Sequence, residues 1–364
     1  MPAVTGGEKG IFLFLKHVAR HARVTCFSVS ENKDNSAGIG FFPLLGSTHK
    51  KWRYIDIRLF FSIKKTCKNE NIGHIMIEHP YYAWLGYLLK KFAGLKLIVH
   101  SHNIEAARFK TMRKRWWRIL YSYEKFAHQN ADFNFFITEE DRKYAIQEYK
   151  LKADKCAVIT YGIETAKAPG AEDKALSKRK VYDETGLPAE TKLILFNGTL
   201  DYLPNRDGLD RILNEIGPVL EETLALPYKI IICGMRLPDT YNKLKAYESH
   251  NIIYKGFVED VDLYFKAADL FINPIIDGGG IKTKLVEALA ANTPSISFKA
   301  GAYGIPFSVT GNNLSIIPDG DSKGFAESII NRLNNAKEDI PSVFYDHFNW
   351  DAIARKAVGI VSKV

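Results

Sequence analysis

The chain has 364 residues, 46% hydrophobic and 25% charged, which excludes a disordered, collagen-like or disulfide-scaffold protein. At about 150 residues per domain, that length corresponds to two domains or one large one. The net charge of +9 is uneven: residues 1–165 carry 27 Lys/Arg against 15 Asp/Glu, a balance of +12, and residues 166–364 carry 23 against 26, a balance of −3.

At the amino end, MPAVTGGEKG lacks the basic start and long apolar core of a signal peptide, so a cytoplasmic location is expected. Thr5-Gly6-Gly7 ahead of the amphipathic stretch Glu8–His21 has the form of a strand-to-helix glycine turn, yet only Met1 to Val4 precede it. A first strand is therefore expected to be missing. In a doubly wound sheet that strand is central, and its loss leaves a gap with unpaired backbone on both sides. The chain reads as an N-terminally shortened form of a longer product.

Short apolar runs then alternate with helical stretches, the pattern of parallel sheets. The expected strands are Arg23–Val29, His74–Glu78, Leu95–Ser101, Phe133–Thr138 and Cys156–Thr160, and the clearest helices after the first are Tyr81–Phe92, Ile104–Gln129 and Glu139–Tyr149. The apolar stretch Tyr81–Leu89 is cut by Lys90, Lys91 and Lys96 before the roughly 18 residues that a bilayer span needs, so no membrane-crossing helix is expected. Within Ile104–Gln129, Arg108, Lys110, Arg113, Lys114, Arg115 and Arg118 surround Trp116 and Trp117. Such a stretch suits an anionic membrane surface, nucleic acid or a solvated helix face. Nucleic acid is the least favoured and is not expected as a partner.

Gly162 to Lys178, with Pro169 and Gly170, reads as an interdomain linker, which gives domains at 1–165 and 166–345, with 346–364 crossing back to the first. In the second half the expected strands are Leu193–Asn197, Lys229–Cys233, Ile252–Tyr254, Leu270–Asn273 and Ser295–Phe298. The helices are Arg206–Leu220, Asp239–Ser249, Val261–Ala267, Thr283–Ala291 and Ser322–Asn334. Two doubly wound sheets with ligands outside the carboxyl ends of their strands is the economical architecture. Cys26, Cys67, Cys156 and Cys233 lie far apart without a Cys/His cluster, so buried thiols are expected and no metal site.

The most specific chemical signal is Asp277 to Ala290, DGGGIKTKLVEALA. Glycines between a strand and a helix bring backbone N–H groups and the positive end of a helix dipole to one place, where a phosphate can sit. Lys282 and Lys284 add positive charge. Glu287 lies one turn beyond Thr283 and can accept hydrogen bonds from sugar hydroxyls. A tight turn with a surface Glu is the plainer alternative.

From these residues the chain resembles the family 4 retaining glycosyltransferases, over nearly its whole length. The resemblance rests on GGGIKTKLVEALAANTP, with Glu287 at the position that binds the donor's ribose, and on FNGTLDYLPN (Phe196–Asn205). It rests also on KGFVEDVDLYFKAADLFINP (Lys255–Pro274), HSHNIEAARF (His100–Phe109) and FNW (Phe348–Trp350). It implies the GT-B fold, an α/β architecture of two facing Rossmann-like domains with a cleft between them. It implies transfer of a sugar from a nucleotide-diphosphate sugar to a glycan, lipid-linked or other hydroxyl, with retention and in cell-surface polysaccharide synthesis. No cofactor is expected, since the sugar nucleotide is a substrate; the helix dipole and lysines would act in place of a metal.

The donor side would comprise Gly198, Thr199, Asn205, Arg206, Phe257, Val258, Gly279, Gly280, Ile281, Lys282, Thr283, Lys284 and Glu287. The acceptor side would comprise Gly6, Gly7, His102 and Glu105, with His102, Lys284 and Glu287 as the catalytic group. His102 follows a strand at its carboxyl end; the plainer alternative is an imidazole satisfying loop carbonyls. His100 reads as packing beneath it, and Glu105 as a cap for the helix beginning at Ile104.

Two departures from the family pattern stand out. Gly279 occupies the place of a carboxylate that holds donor sugar hydroxyls, and Thr199 and Asn205 replace an Arg and a Lys that neutralise the diphosphate. Lys284, helped by Lys282 or Arg206, is expected to take over that charge. The cationic first domain suits an acceptor presented at an anionic inner leaflet. A non-catalytic sugar-nucleotide-binding protein and a sugar-nucleotide 2-epimerase are the alternative functions.

Overall fold

The computed structural model describes residues 6–32, 38–335 and 338–364. The chain forms two compact units, one of Met1–Glu164 with Phe348–Val364 and one of Thr165–His347.

The first unit contains the parallel strands β1 (Thr25–Phe27), β2 (Gly40–Phe42), β3 (His74–Glu78), β4 (Lys96–Ser101), β5 (Phe133–Phe136) and β6 (Cys156–Val158). β3-β4-β5-β6 form one sheet, and β1-β2 form a separate pair. Its main helices are α1 (Gly6–Val18), α2 (Arg58–Asn69), α3 (Ala83–Ala93), α4 (Glu105–Thr111), α5 (Trp117–Asn130) and α6 (Glu139–Glu148), joined by the terminal helix Trp350–Val361. β4 and β5 are buried almost throughout, as continuous apolar runs in parallel sheets are. Gly162 holds the terminal helix close: a Cβ there would lie 2.4 Å from the buried Trp350 ring, so only glycine fits.

Several expectations are corrected. The single helix Ile104–Gln129 is two, α4 and α5, separated by a turn in which Arg113 takes φ 55°. In the second half of the expected linker lies a helix, Ala171–Thr185, whose Val181 and Ser177 are buried. The three-residue strand β2 is not among the expected strands. The amphipathic signal of α2 was present in the sequence, with Leu59, Ile63 and Cys67 spaced four apart and buried. Thr5 and its predecessors lie outside the described residues; Gly6 and Gly7 are the first residues of α1.

The second unit is one six-stranded parallel sheet of β7 (Lys192–Asn197), β8 (Tyr228–Cys233), β9 (Ile252–Gly256), β10 (Leu270–Asn273), β11 (Ser295–Phe298) and β12 (Leu314–Ile317). Their order is β12-β11-β10-β7-β8-β9. Ile194, Phe196, Ile230, Ile232, Ile272 and Phe298 lie in its core. The expected helix Arg206–Leu220 runs from Leu203 to Thr223 and contains a π-helical turn at Ile212–Ile216, just ahead of Pro218, which has no N–H to continue an α-helical ladder. The expected helix Asp239–Ser249 is broken instead, with Asn242, Lys243 and Leu244 at positive φ. β12 was not foreseen.

Chain order fixes where a ligand of this sheet would lie. β8 and β9 extend from β7 in one direction, and β10 to β12 in the other, so the strand order reverses between β7 and β10. The loops that leave the carboxyl ends of those two strands carry Gly198 to Asn205 and Asp277 to Lys282. Ligands of open parallel sheets bind at that reversal.

Candidate functional site

The second unit joins the two glycine loops at the β7/β10 reversal. Gly198 is buried at the end of β7, and a Cβ there would lie 2.8 Å from Asn205 Nδ2. Asn205 occupies the first turn of the helix beginning at Leu203 and donates from Nδ2 to the Thr199 carbonyl at 2.9 Å. Its amide therefore shapes the loop in place of a cation. A Cβ on Gly234, at the end of β8, would lie 2.1 Å from the Gly198 carbonyl oxygen, so this loop packs backbone to backbone on the next strand. Arg206 follows Asn205, half-buried.

Gly278 (φ 91°) and Gly280 (φ 68°) give the second loop left-handed turns. A Cβ on Gly278 would approach the Tyr202 hydroxyl to 3.1 Å, which places this loop against the first one. Lys282 Nζ donates to the carbonyls of Gly278 at 2.7 Å and of Gly279 and Gly280 at 3.3 Å. Lys282 therefore ties the loop together. Thr283 opens the helix Thr283–Ala290, with Ile281 half-buried before it and Gly279 exposed.

Lys284 Nζ lies 3.2 Å from Glu287 Oε2, and the two side chains are 37% and 10% exposed. Lys284 thus stands at the amino end of the helix, where the dipole and free N–H groups favour an anion, with the carboxylate beside it. Phe257 is 65% exposed after β9 and Val258 is half-buried.

In the first unit, the carboxyl ends of β3 and β4 assemble a cluster that chain spacing does not show. His102 Nε2 is 2.6 Å from Glu78 Oε2, and His100 Nδ1 is 3.0 Å from the same oxygen. The His100 ring is tilted against His102, with centroids 4.6 Å apart, and His79 stacks on His102, also with centroids 4.6 Å apart. His79 takes φ 65°, ψ 158°, a region that costs a non-glycine residue on the order of 1–3 kcal/mol and is found mostly at functional sites. The buried His100 Nε2 has no hydrogen-bond partner among the described residues.

Burial alone would raise the Glu78 carboxyl, but the two imidazoles override it and hold Glu78 well below the usual carboxylate range. Burial pushes His102 down against the opposing pull of Glu78, and pushes His79 down to about 4 with help from His102. With Nε2–H donated to the ionised Glu78, His102 presents its other ring nitrogen, Nδ1, as a proton acceptor. Ligand atoms of Glu78, His100 and His102 also lie within 4.8 Å of one another, a two-His, one-carboxylate set of the kind that can hold a divalent metal.

Glu105 does not cap α4. It is 1% exposed and accepts from the Tyr81 hydroxyl at 2.8 Å and from Arg108 Nη2 at 2.7 Å. The α4 backbone N–H groups of Glu105 and Ala106 donate instead to the buried Glu124 carboxylate of α5, both at 2.9 Å. Among the described residues nothing lies within 4 Å of a Cβ added to Gly7, so none of them demands a glycine there. Sequence reasoning missed Glu78, His79 and Glu124; the pairs Glu78-His79 and His100-x-His102 at two strand ends were the available signal. In the basic stretch, Trp116 packs on Phe109 at 4.5 Å and Lys110 and Arg118 lie over Trp117, while Arg108 pairs with Glu105.

The sequence matches two known families in tandem: residues 4–167 match "Glycosyltransferase Family 4", and residues 191–335 match "Glycosyl transferases group 1". A curated relative, the chitobiosyldiphosphodolichol beta-mannosyltransferase of Debaryomyces hansenii, is 25% identical over 303 residues, 75% of this chain; the chain spans 63% of that relative's length. Among solved structures, sucrose-phosphate synthase from Thermosynechococcus elongatus is similar with a TM-score of 0.75 at 15% identity, covering 99% of this chain and 93% of its own. HepE of Anabaena in complex with UDP is similar with a TM-score of 0.71 at 15% identity, covering 99% and 97%.

Proposed function

We propose, on the premise that this chain belongs to the group 1, family 4 glycosyltransferases of GT-B fold, that it moves a sugar from a nucleotide-diphosphate sugar to an acceptor hydroxyl. The observation that carries the reading is the pairing of two glycine loops at the β7/β10 reversal, with Lys284 and Glu287 on the helix that opens there. The pyrophosphate sits on the amino end of the helix Thr283–Ala290 and Glu287 accepts from the ribose hydroxyls. Lys284 turns from Glu287 towards the phosphates and stabilises the charge that develops as the sugar–phosphate bond breaks. Lys282, held by loop carbonyls, sets the shape of the anion site.

The first unit supplies the acceptor side. His102, oriented by Glu78 through its Nε2–H, accepts a hydrogen bond at Nδ1 from a sugar or acceptor hydroxyl. The acceptor is a glycan or lipid-linked sugar; the relative's name, with its diphosphodolichol-linked chitobiose, and the exposed Trp116 and Ile119 beside the basic residues 108–118 support a lipid-linked acceptor at an anionic membrane surface. Transfer proceeds with retention and in cell-surface polysaccharide synthesis, as the family resemblance implies, and needs no metal. No described helix is long and apolar enough to cross a membrane.

The test is a thermal-shift screen across UDP, GDP and ADP and their sugars, followed by product analysis. A donor at 100 times its dissociation constant stabilises by about 2.7 kcal/mol, and the anomeric configuration of the new glycosidic bond reads the stereochemistry. A chain that binds no nucleotide diphosphate, or binds without releasing nucleotide when an acceptor is present, is not a transferase. If EDTA abolishes turnover, Glu78, His100 and His102 become a metal site and the metal-free reading fails.

A further inference from the structure

Glu78, His100 and His102 are placed by a sheet. Glu78 ends β3 and stands opposite His100 of β4 in the parallel register, and His102 comes directly after β4. One oxygen, Glu78 Oε2, meets His102 Nε2 at 2.6 Å and His100 Nδ1 at 3.0 Å, so two nitrogens and a carboxylate already converge. Among the described residues, these three are the one group of His, Cys, Asp or Glu side chains whose ligand atoms all lie within 4.8 Å of one another.

The composition of the group selects among cations. Two imidazoles and one carboxylate suit zinc and its transition-metal neighbours, whereas magnesium and calcium take oxygen ligands. Charge favours a cation too: the carboxylates of Glu78 and Glu105 are both held below their usual range, Arg108 neutralises the second, and imidazoles face the first. The cluster is reachable, with the His102 and Glu78 side chains 15% and 20% exposed. A metal-bound histidine ordinarily donates its other N–H to an acceptor, and losing such a partner weakens binding by roughly 10- to 100-fold. His100 Nε2 has no hydrogen-bond partner among the described residues. The site is therefore loose, filled and emptied as the ambient cation changes.

We propose that Glu78, His100 Nδ1 and His102 Nε2 bind one zinc-like divalent cation, and that this cation switches turnover off; the switching rests on the transferase function proposed above. In the metal-free cluster His102 donates Nε2–H to Glu78 and offers Nδ1 as an acceptor. The cation takes the Nε2 lone pair, so the single proton of the neutral ring moves through solvent to Nδ1. His102 then presents a donor to an acceptor hydroxyl that has its own proton to give, and their hydrogen bond is lost. Zinc inverts the polarity of the ring without displacing it.

The test uses the full chain, stripped of metal with EDTA and dialysed. Zinc titrated by calorimetry should bind at one equivalent per chain. His100→Gln and Glu78→Gln should each weaken that binding by roughly 10²-fold or more, beyond the scale for an outer-shell partner. A chain with His21→Gln and His250→Gln, surface histidines that pair with Asp351 and Glu221, should bind as tightly as the parent. Nitrogen-15 spectra of the parent should show the His102 proton moving from Nε2 to Nδ1 at one equivalent, and turnover should fall by roughly 10-fold or more and return with EDTA. Absence of one-equivalent binding by the parent overturns the proposal, as does binding that survives both cluster substitutions. A sulfur charge-transfer band with cobalt in place of zinc puts the metal on a thiol and overturns it without recourse to any variant. So does full turnover at saturating zinc, or loss of turnover in EDTA. A chain inactive at every zinc level refutes the transferase reading instead, and the titration and ring spectra still decide the site.

Discussion

Lys284 is the cation whose removal tests the chemistry most directly. Lys284→Ala should lower turnover by roughly 10²-fold or more, the scale for losing a donor aimed at developing charge. Unchanged turnover measured at saturating donor would remove Lys284 from the mechanism. Glu78 is a positioning residue: Glu78→Gln keeps a hydrogen-bond acceptor but loses the charge that pulls the His102 proton affinity upward. Its kcat should fall by roughly 10-fold or more with KM little changed, and the acid limb of the rate profile should move to lower pH. A merely structural Glu78 would lower stability and leave that limb in place. The individual roles were only half legible in the sequence. Glu287 and Lys284 stand in one short motif, whereas Glu78 and His102 are 24 positions apart and meet only because β3 and β4 are neighbours in register, Glu78 opposite His100.

At the scale of elements, the β7 loop and the β8 terminus are locked together by Gly234, where an added Cβ would meet the Gly198 carbonyl, a backbone atom that cannot step aside. Gly234→Ala should weaken nucleotide binding by roughly 10-fold or more through displacement of the loop, read by titration with the best diphosphate from the screen; undiminished affinity would show that the loop tolerates the shift. Strands and helices with strong period or length were readable: His74–Glu78, Leu270–Asn273, Ser295–Phe298, Val261–Ala267 and Ser322–Asn334 have the same bounds in sequence and structure. The failures have local causes. Continuous amphipathic character ran through Arg113 because a single left-handed residue leaves no mark on hydrophobic period. Ala171–Thr185 hid in a polar stretch because that helix buries little beyond Ser177 and Val181.

For the whole molecule, buried histidines set the response to acid. Burial pushes His128 down to about 4, where Ser101 and Asn134 hold its neutral form, and His79 likewise to about 4. In the unfolded chain both titrate near 6.5, so the stability they contribute is complete above that pH and is lost as pH falls towards 4. Glu124, pushed up to about 7 by burial, acts with the opposite sign between pH 4.5 and 7 and offsets part of the loss. The melting temperature should fall between pH 6.5 and 4, and His128→Gln should show a shallower slope; an identical slope would exonerate that side chain. Association with anionic vesicles is the other property of the intact chain: co-sedimentation at low salt, lost at roughly 0.5 M salt as screening shortens the reach of charge, supports the basic surface of residues 108–118, and absence at low salt rules it out. A last property follows from the discontinuous first unit, whose terminal helix is encoded after all of Thr165–His347. On the ribosome, the second unit emerges in full while the first still lacks Trp350, whose ring seats against Gly162 and Tyr161. Nascent chains must therefore hold an unfinished amino-terminal half through nearly the entire course of translation, and a stop codon near position 348 would harm the half made first rather than the half made last.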